Sequence, residues 1–192
     1  MTDADGASSR LRSPAARTLI AAALATGVVF GGAFLAINRL HSSAADAVEH
    51  PGPAATDAQT QAEVVDHAKS IVATARLQQA TAGYLLMSCK NRDDPPYQGA
   101  VYLNFTLPAD ARADEYFRTV TAELVAGGWR AAPPPNEHLF GARLSKDGVN
   151  AILYQDNDSE GRGVARIYGQ CRDMTNHRGD TTGWVDVTDR LQ

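Results

Sequence analysis

The chain has 192 residues and a mass of 20.4 kDa, with 22 acidic and 18 basic side chains and a formal net charge of -4. Hydrophobic residues make up 44% and charged residues 21%, which excludes wholesale disorder and leaves room, beyond any membrane segment, for one small folded domain. Basic residues are scattered and outnumbered, so no stripe exists to neutralise a phosphate backbone, and nucleic acid is not an expected partner.

Residues 1–17 carry Arg10, Arg12 and Arg17 against Asp3 and Asp5. The run from Thr18 to Ile37 that follows has no formal charge, and its length at about 1.5 Å rise per residue spans roughly 30 Å of hydrocarbon. It is expected to be a single transmembrane helix at residues 18–37. The basic residues before it favour a cytoplasmic tail at 1–17 and an extracytoplasmic C-terminal part. A cleaved signal peptide is the rival reading, because Ser42-Ser43-Ala44 and Ser43-Ala44-Ala45 suit a signal peptidase. The run exceeds the usual apolar region of a signal peptide, and Arg39 and His41 separate it from the cut, so a retained anchor is favoured. No Cys lies near residue 45, which excludes lipid attachment there. Within the run, Ala23, Gly27 and Gly31 form a small-residue stripe through which two helices could pack as a homodimer; a plain lipid-facing helix is the competing reading.

Residues 38–58 contain Ser42, Ser43, Pro51, Gly52 and Pro53 without apolar periodicity and read as a flexible tether. The domain is placed at residues 59–192. Thr60-Gln61-Ala62-Glu63 has capping-box spacing, and Val64, Val65, Ala68, Ile71, Val72 and Ala75 recur at helical intervals, predicting a helix that ends before Gly83. Tyr84 to Lys90 and Ala100 to Leu107 read as strands around a polar, proline-containing loop. A second helix opens at Pro108 and Asp110, carries Ala113, Tyr116, Phe117, Val120, Leu124 and Val125 on one stripe, and closes at Gly127-Gly128. A short strand from Trp129 follows. Leu139 to Ser145 and Val149 to Tyr154 then flank Asp147-Gly148, whose positive φ values suit a tight hairpin. Gly163 to Cys171 reads as the last long strand, and Thr181 to Arg190, with Trp184, Val185 and Val187, as a short edge strand. The expected class is α+β, with two helices on one face of a mostly antiparallel sheet.

Cys89 and Cys171 are the only cysteines, and an oxidising compartment favours a structural disulfide between them. Strand parity places Leu85, Met87 and Cys89 on one face and Ala165, Ile167 and Cys171 on another, both sets pointing into the core. The loop so closed would add roughly 4–5 kcal/mol on the chain-entropy account.

No GxSxG is present, and His41, His50, His67, His138 and His177 lack metal-ligand spacing. No cofactor, metal site or catalytic residue is expected on this reading. Asp156, Asp158, Glu160 and Gly161 imitate the start of a calcium loop, but Ile167 stands where the bidentate Glu is required, so a solvated hairpin loop is preferred. Arg178-Gly179-Asp180 is read as a chance tripeptide. The more informative pattern is the sheet face away from the helices, where alternation places Tyr102 and Asn104 from one strand and Arg166 and Tyr168 from another. Tyr84 is assigned to the same face. These five residues form the candidate binding surface, an aromatic and hydrogen-bonding mix common at interfaces. An ordinary wetted sheet face competes with it.

The plan of an Arg-flanked anchor, an Ala/Pro tether and an α+β domain with one Cys after its first strand and one near the end of its last long strand resembles uncharacterised exported or membrane-anchored proteins and lipoproteins of actinobacteria. The excess of Arg over Lys and the abundance of Ala agree with the GC-rich coding of such organisms. The chain departs from the lipoprotein version in having no acylatable Cys after the apolar run. The expectation is a single-pass envelope protein whose outer domain binds an envelope protein or ligand in an accessory or sensing role. An extracytoplasmic hydrolase of cell-wall material using His138 or loop carboxylates is the alternative, and a structural protein dimerising through its membrane helix a further one.

Overall fold

The computed structural model describes residues 52–91, 94–133, 138, 140–180 and 183–192. The apolar run at 18–37 with its Ala23, Gly27 and Gly31 stripe, the tail at 1–17 and the tether up to residue 51 lie outside the described residues. Among the described residues no helix is long and apolar enough to cross a membrane.

Helix α1 spans Asp57–Ala75, starting earlier than the Thr60 capping box predicts. Two successive stretches, Thr56 to Gln59 and Thr60 to Glu63, satisfy the same pattern, and the first is the one used. The Thr56 hydroxyl accepts from the Gln59 N–H and the Gln59 side chain accepts from the Thr56 N–H at 2.9 Å. Thr60 is instead buried inside the helix, and Glu63 turns to a distant partner described below. Arg76, at φ 50°, closes the helix in the left-handed region. The stripe of Val64, Val65, Ala68, Ile71 and Ala75 is buried as the periodicity requires.

Strands β1 (Gln78–Ser88) and β2 (Tyr97–Thr106) follow, then helix α2 (Ala113–Ala126). Gly128 at φ 92° takes the left-handed turn after α2, and β3 (Arg130–Ala132) runs out of it. Strands β4 (Ala142–Lys146) and β5 (Val149–Gln155) form the expected hairpin, with Asp147 at φ 50° and Gly148 at φ 85°. Strand β6 spans Arg162–Tyr168 and stops short of Cys171. The expected edge strand shrinks to β7 (Val185–Asp186), followed by a 3-10 helix at Thr188–Leu191.

The seven strands form one sheet in the order β3-β4-β5-β6-β2-β1-β7, antiparallel throughout. Both helices pack on one face, α1 across the centre and α2 against β5 and β3. The core between the layers is Val101, Leu103 and Phe105 of β2, Ala165 and Ile167 of β6, Ala151 and Leu153 of β5, and Leu144 of β4, sealed by Ile71, Phe117 and Leu124 from the helices. Each fully buried Leu, Ile or Phe contributes roughly 1.5–3 kcal/mol of transfer free energy. The two-helices-on-sheet class is therefore the architecture found.

The phase of β1 differs from the expectation. Tyr84 pairs with Val101 and Ala82 with Leu103, so Tyr84 and Ala82 face the helices. Leu85 and Met87 lie on the opposite side, beside Tyr102 and Tyr168. The run Tyr84-Leu85-Leu86-Met87 is apolar at every position, so alternation carries no phase there, and only register with β2 decides it. The Cys89–Cys171 bridge forms as expected, with an S–S distance of 2.02 Å. Both cysteines lie beyond their strands and are half-buried, so the bridge staples one end of the sheet rather than crossing the core.

Candidate functional site

The face away from the helices carries a groove of about 690 Å³ over β1, β2 and β6. Leu85, Met87 and Ala100 give it an apolar floor, while Tyr102, Asn104, Arg166 and Tyr168 supply rings, an amide and a cation. Four of the five predicted binding residues thus come together. Tyr84 does not, because its register with Val101 turns it under α1, where it lines a smaller cavity with Asp57 and His177. Burial first, and then the charges of Asp173 and Asp57, push the Tyr84 phenol up to about 12.

Register explains the groove's polar row. Tyr102 faces Arg166 across β2 and β6, and Arg166 faces Ile152 of β5. The guanidinium lies 5.5 Å from the Tyr102 ring centre and 5.7 Å from that of Tyr154. Burial alone would lower the Arg166 pKa, but the neighbouring Tyr154, Tyr168 and Tyr102 oxygens outweigh it and raise it. The cation is held between two ring faces.

This face is not open along its whole width. His138 stacks flat on Tyr154 with ring centres 4.0 Å apart, and Tyr154 and Val164 are buried. Burial raises the Tyr154 pKa despite Arg166 beside it. His138 therefore covers the Tyr154 end of the face. His138 does not line the groove.

The opposite wall is Trp184, which the sequence pattern assigns only to an edge strand. Its ring packs over Gly83, where a Cβ would lie 3.2 Å from the indole Cε3, and meets Tyr102 edge to face at 6.1 Å. Trp184 is still 55% exposed. Gly83 in the interior of a strand was the available signal, since such a glycine marks close approach of another group. Asp186 and Thr188 complete this wall, and the Asp186 carboxylate accepts from the Thr188 N–H at 2.8 Å.

On the other side of β1, the loop after β6 is tied to α1. The Glu63 carboxylate accepts from Arg172 Nη2 at 2.8 Å, from the Gln170 side chain at 2.9 Å and from the Gln170 N–H at 3.0 Å. Next to it, His177 Nδ1 donates to Asp180 at 2.7 Å, and the ring packs edge-on to Tyr97. His177 Nε2 points at Asp57 and Asp173, and the ligand atoms of these three residues converge. Sequence spacing did not reveal this cluster, because Asp57 begins α1 and the other two follow the last long strand. The Asp156–Glu160 loop is an ordinary hairpin connection, with the Asp158 N–H on the Asp156 carboxylate at 3.1 Å. Arg178 pairs with Asp94, and Asp180 is committed to His177.

Comparison with known proteins places this chain beside mycobacterial sequences. The family described as "Putative lipoprotein LppJ" matches residues 56–190. A protein of that description from Mycobacterium bovis is 38% identical over 179 residues, covering 91% of this chain and 91% of its own length. One from Mycobacterium tuberculosis strain H37Rv is 38% identical over 176 residues, covering 88% of this chain and 90% of its own. No solved structure matches.

Proposed function

Since the chain belongs to the family described as "Putative lipoprotein LppJ", we propose that it is a cell-envelope protein held at the membrane, whose α+β domain binds an envelope partner through the groove over β1, β2 and β6. The observation that carries this reading is the composition of the groove. An exposed Trp184, the rings of Tyr102 and Tyr168, the Asn104 amide and a preset Arg166 cation gather over an apolar floor. The matching occupant is a protein segment or envelope ligand that offers an apolar group to the rings and a hydrogen-bond acceptor to Arg166.

The mode of attachment proposed for this chain departs from the family's description. Both cysteines of the sequence are consumed in the Cys89–Cys171 bridge, so no thiol is left to carry a lipid. Attachment then falls to the apolar run from Thr18 to Ile37 as a single-pass helix, with the basic tail inside and the domain outside. Protein extracted from alkali-washed membranes is expected to show an intact mass without acyl groups. An acylated mass would contradict this anchor.

The binding reading is tested by in-cell crosslinking of the full-length protein, followed by pull-down and mass spectrometry, beside a Tyr102→Ala/Arg166→Ala variant. The expected result is a specific adduct that disappears in the variant while expression and thermal midpoint are kept. An adduct retained at full yield removes the groove as the binding site.

A further inference from the structure

The strongest feature outside the groove is the junction of α1 with the loop after β6. Asp173 is 0% exposed, and its Oδ2 has no hydrogen-bond partner, while Oδ1 accepts from the Thr175 N–H at 2.8 Å. The His177 side chain is only 7% exposed, and its Nε2 is likewise buried without a hydrogen bond. Buried atoms of this kind are costly unless something satisfies them. Nε2 lies 3.4 Å from Asp57 Oδ1 and 3.7 Å from Asp173 Oδ2.

Asp180 settles the orientation of the ring. Its carboxylate accepts only, so His177 Nδ1 carries the proton between them, and Nε2 faces the two carboxylates. A positive charge belongs at that point. A second proton on His177 would supply one, but an imidazolium donating to a carboxylate closes to about 2.7–2.9 Å, and both contacts are well beyond that. The separations instead approach the edge of a tetrahedron, about 3.3 Å for metal–ligand bonds near 2.0 Å.

We propose that Asp57 Oδ1, Asp173 Oδ2 and His177 Nε2 bind a divalent transition metal ion of the zinc class. Two carboxylates balance the ion's charge, one imidazole favours it over calcium or magnesium, and Asp180 acts from behind as the carboxylate that fixes the ligating histidine. The site opens into a cavity of about 230 Å³ shared with Tyr84 and Gln61, which gives the ion an entry path and leaves a fourth position for water or an exogenous ligand. Bound there, the ion clips the first turn of α1 to the C-terminal loop. It is separate from the groove, which lies across β1.

The test uses the full chain without a histidine tag, purified in detergent, stripped with chelator and titrated calorimetrically with ZnCl₂. Saturable binding of one ion per chain is expected, weakened at least about tenfold by Asp57→Asn and abolished by His177→Gln. Zinc K-edge absorption should fit one imidazole nitrogen with oxygen donors. Asp57 is exposed at the helix start, so Asp57→Asn still decides the question if His177→Gln fails to fold. No saturable one-to-one binding, an affinity unchanged by Asp57→Asn, or a spectrum without imidazole scattering overturns the proposal.

Discussion

The Arg166 guanidinium carbon lies 5.5 Å from the centre of the Tyr102 ring, and the two residues are register partners on neighbouring strands. Tyr154 holds the same guanidinium from another strand at 5.7 Å. Contacts of this kind stabilise by about 0.5–1 kcal/mol each when exposed and more when desolvated. Their larger consequence is that a long, rotamer-rich cation is already ordered, which would lower the entropy cost of the binding proposed for this face.

Trp184 and Trp129 should report separately on this face. Trp129 is buried and edge-on to His67, whereas Trp184 is exposed on the groove wall. Gly83→Val places a branched side chain where even a Cβ would crowd the indole at 3.2 Å. Acrylamide quenching of the exposed tryptophan component is expected to rise in this variant and the crosslinked adduct to be lost. Unchanged quenching would show that Trp184 is not held by Gly83.

Glu63 ties α1 to the C-terminal loop, with its side chain 11% exposed and three donors from Gln170 and Arg172 on it. Glu63→Ala leaves those donors without their carboxylate and should lower the unfolding free energy by about 2–3 kcal/mol. Glu63→Gln keeps one acceptor and should fall between the two. Denaturant titration checks both values, and a loss below about 0.5 kcal/mol for the alanine variant would contradict the assignment.

The Cys89–Cys171 bridge closes a sequence separation of 82 residues. Replacing both cysteines by alanine should cost about 4–5 kcal/mol, through the restored freedom of the unfolded chain. For so small a domain this is a large share of stability. Chemical unfolding of the double variant, compared with wild type under oxidising conditions, measures it.

Local chemistry was legible in the sequence where only one reading fits. Asp147-Gly148 fixes the β4–β5 hairpin, Val101, Leu103 and Phe105 alternate cleanly along β2, and the paired cysteines meet. Tyr102, Asn104, Arg166 and Tyr168 follow from that alternation and share the groove. Local patterns that are degenerate do not decide the structure. Tyr84 to Met87 is apolar throughout, so the face of Tyr84 depended on pairing with β2. Thr56 and Thr60 both begin valid capping boxes, and the choice turns on Glu63 being claimed by Gln170 and Arg172. Asp57, Asp173 and His177 converge only because β6 returns the chain to the start of α1, which no short spacing encodes.

The face opposite the helices is where partner binding is proposed. A photoreactive benzoyl-phenylalanine placed at Tyr168 in the groove, and separately at the exposed Val125 on α2, tests it in the full-length protein in cells. Irradiation should give a specific adduct from position 168, suppressed by Arg166→Ala, and none from position 125. Adducts from 125 alone, or equally from both, would rule out the groove as the binding face.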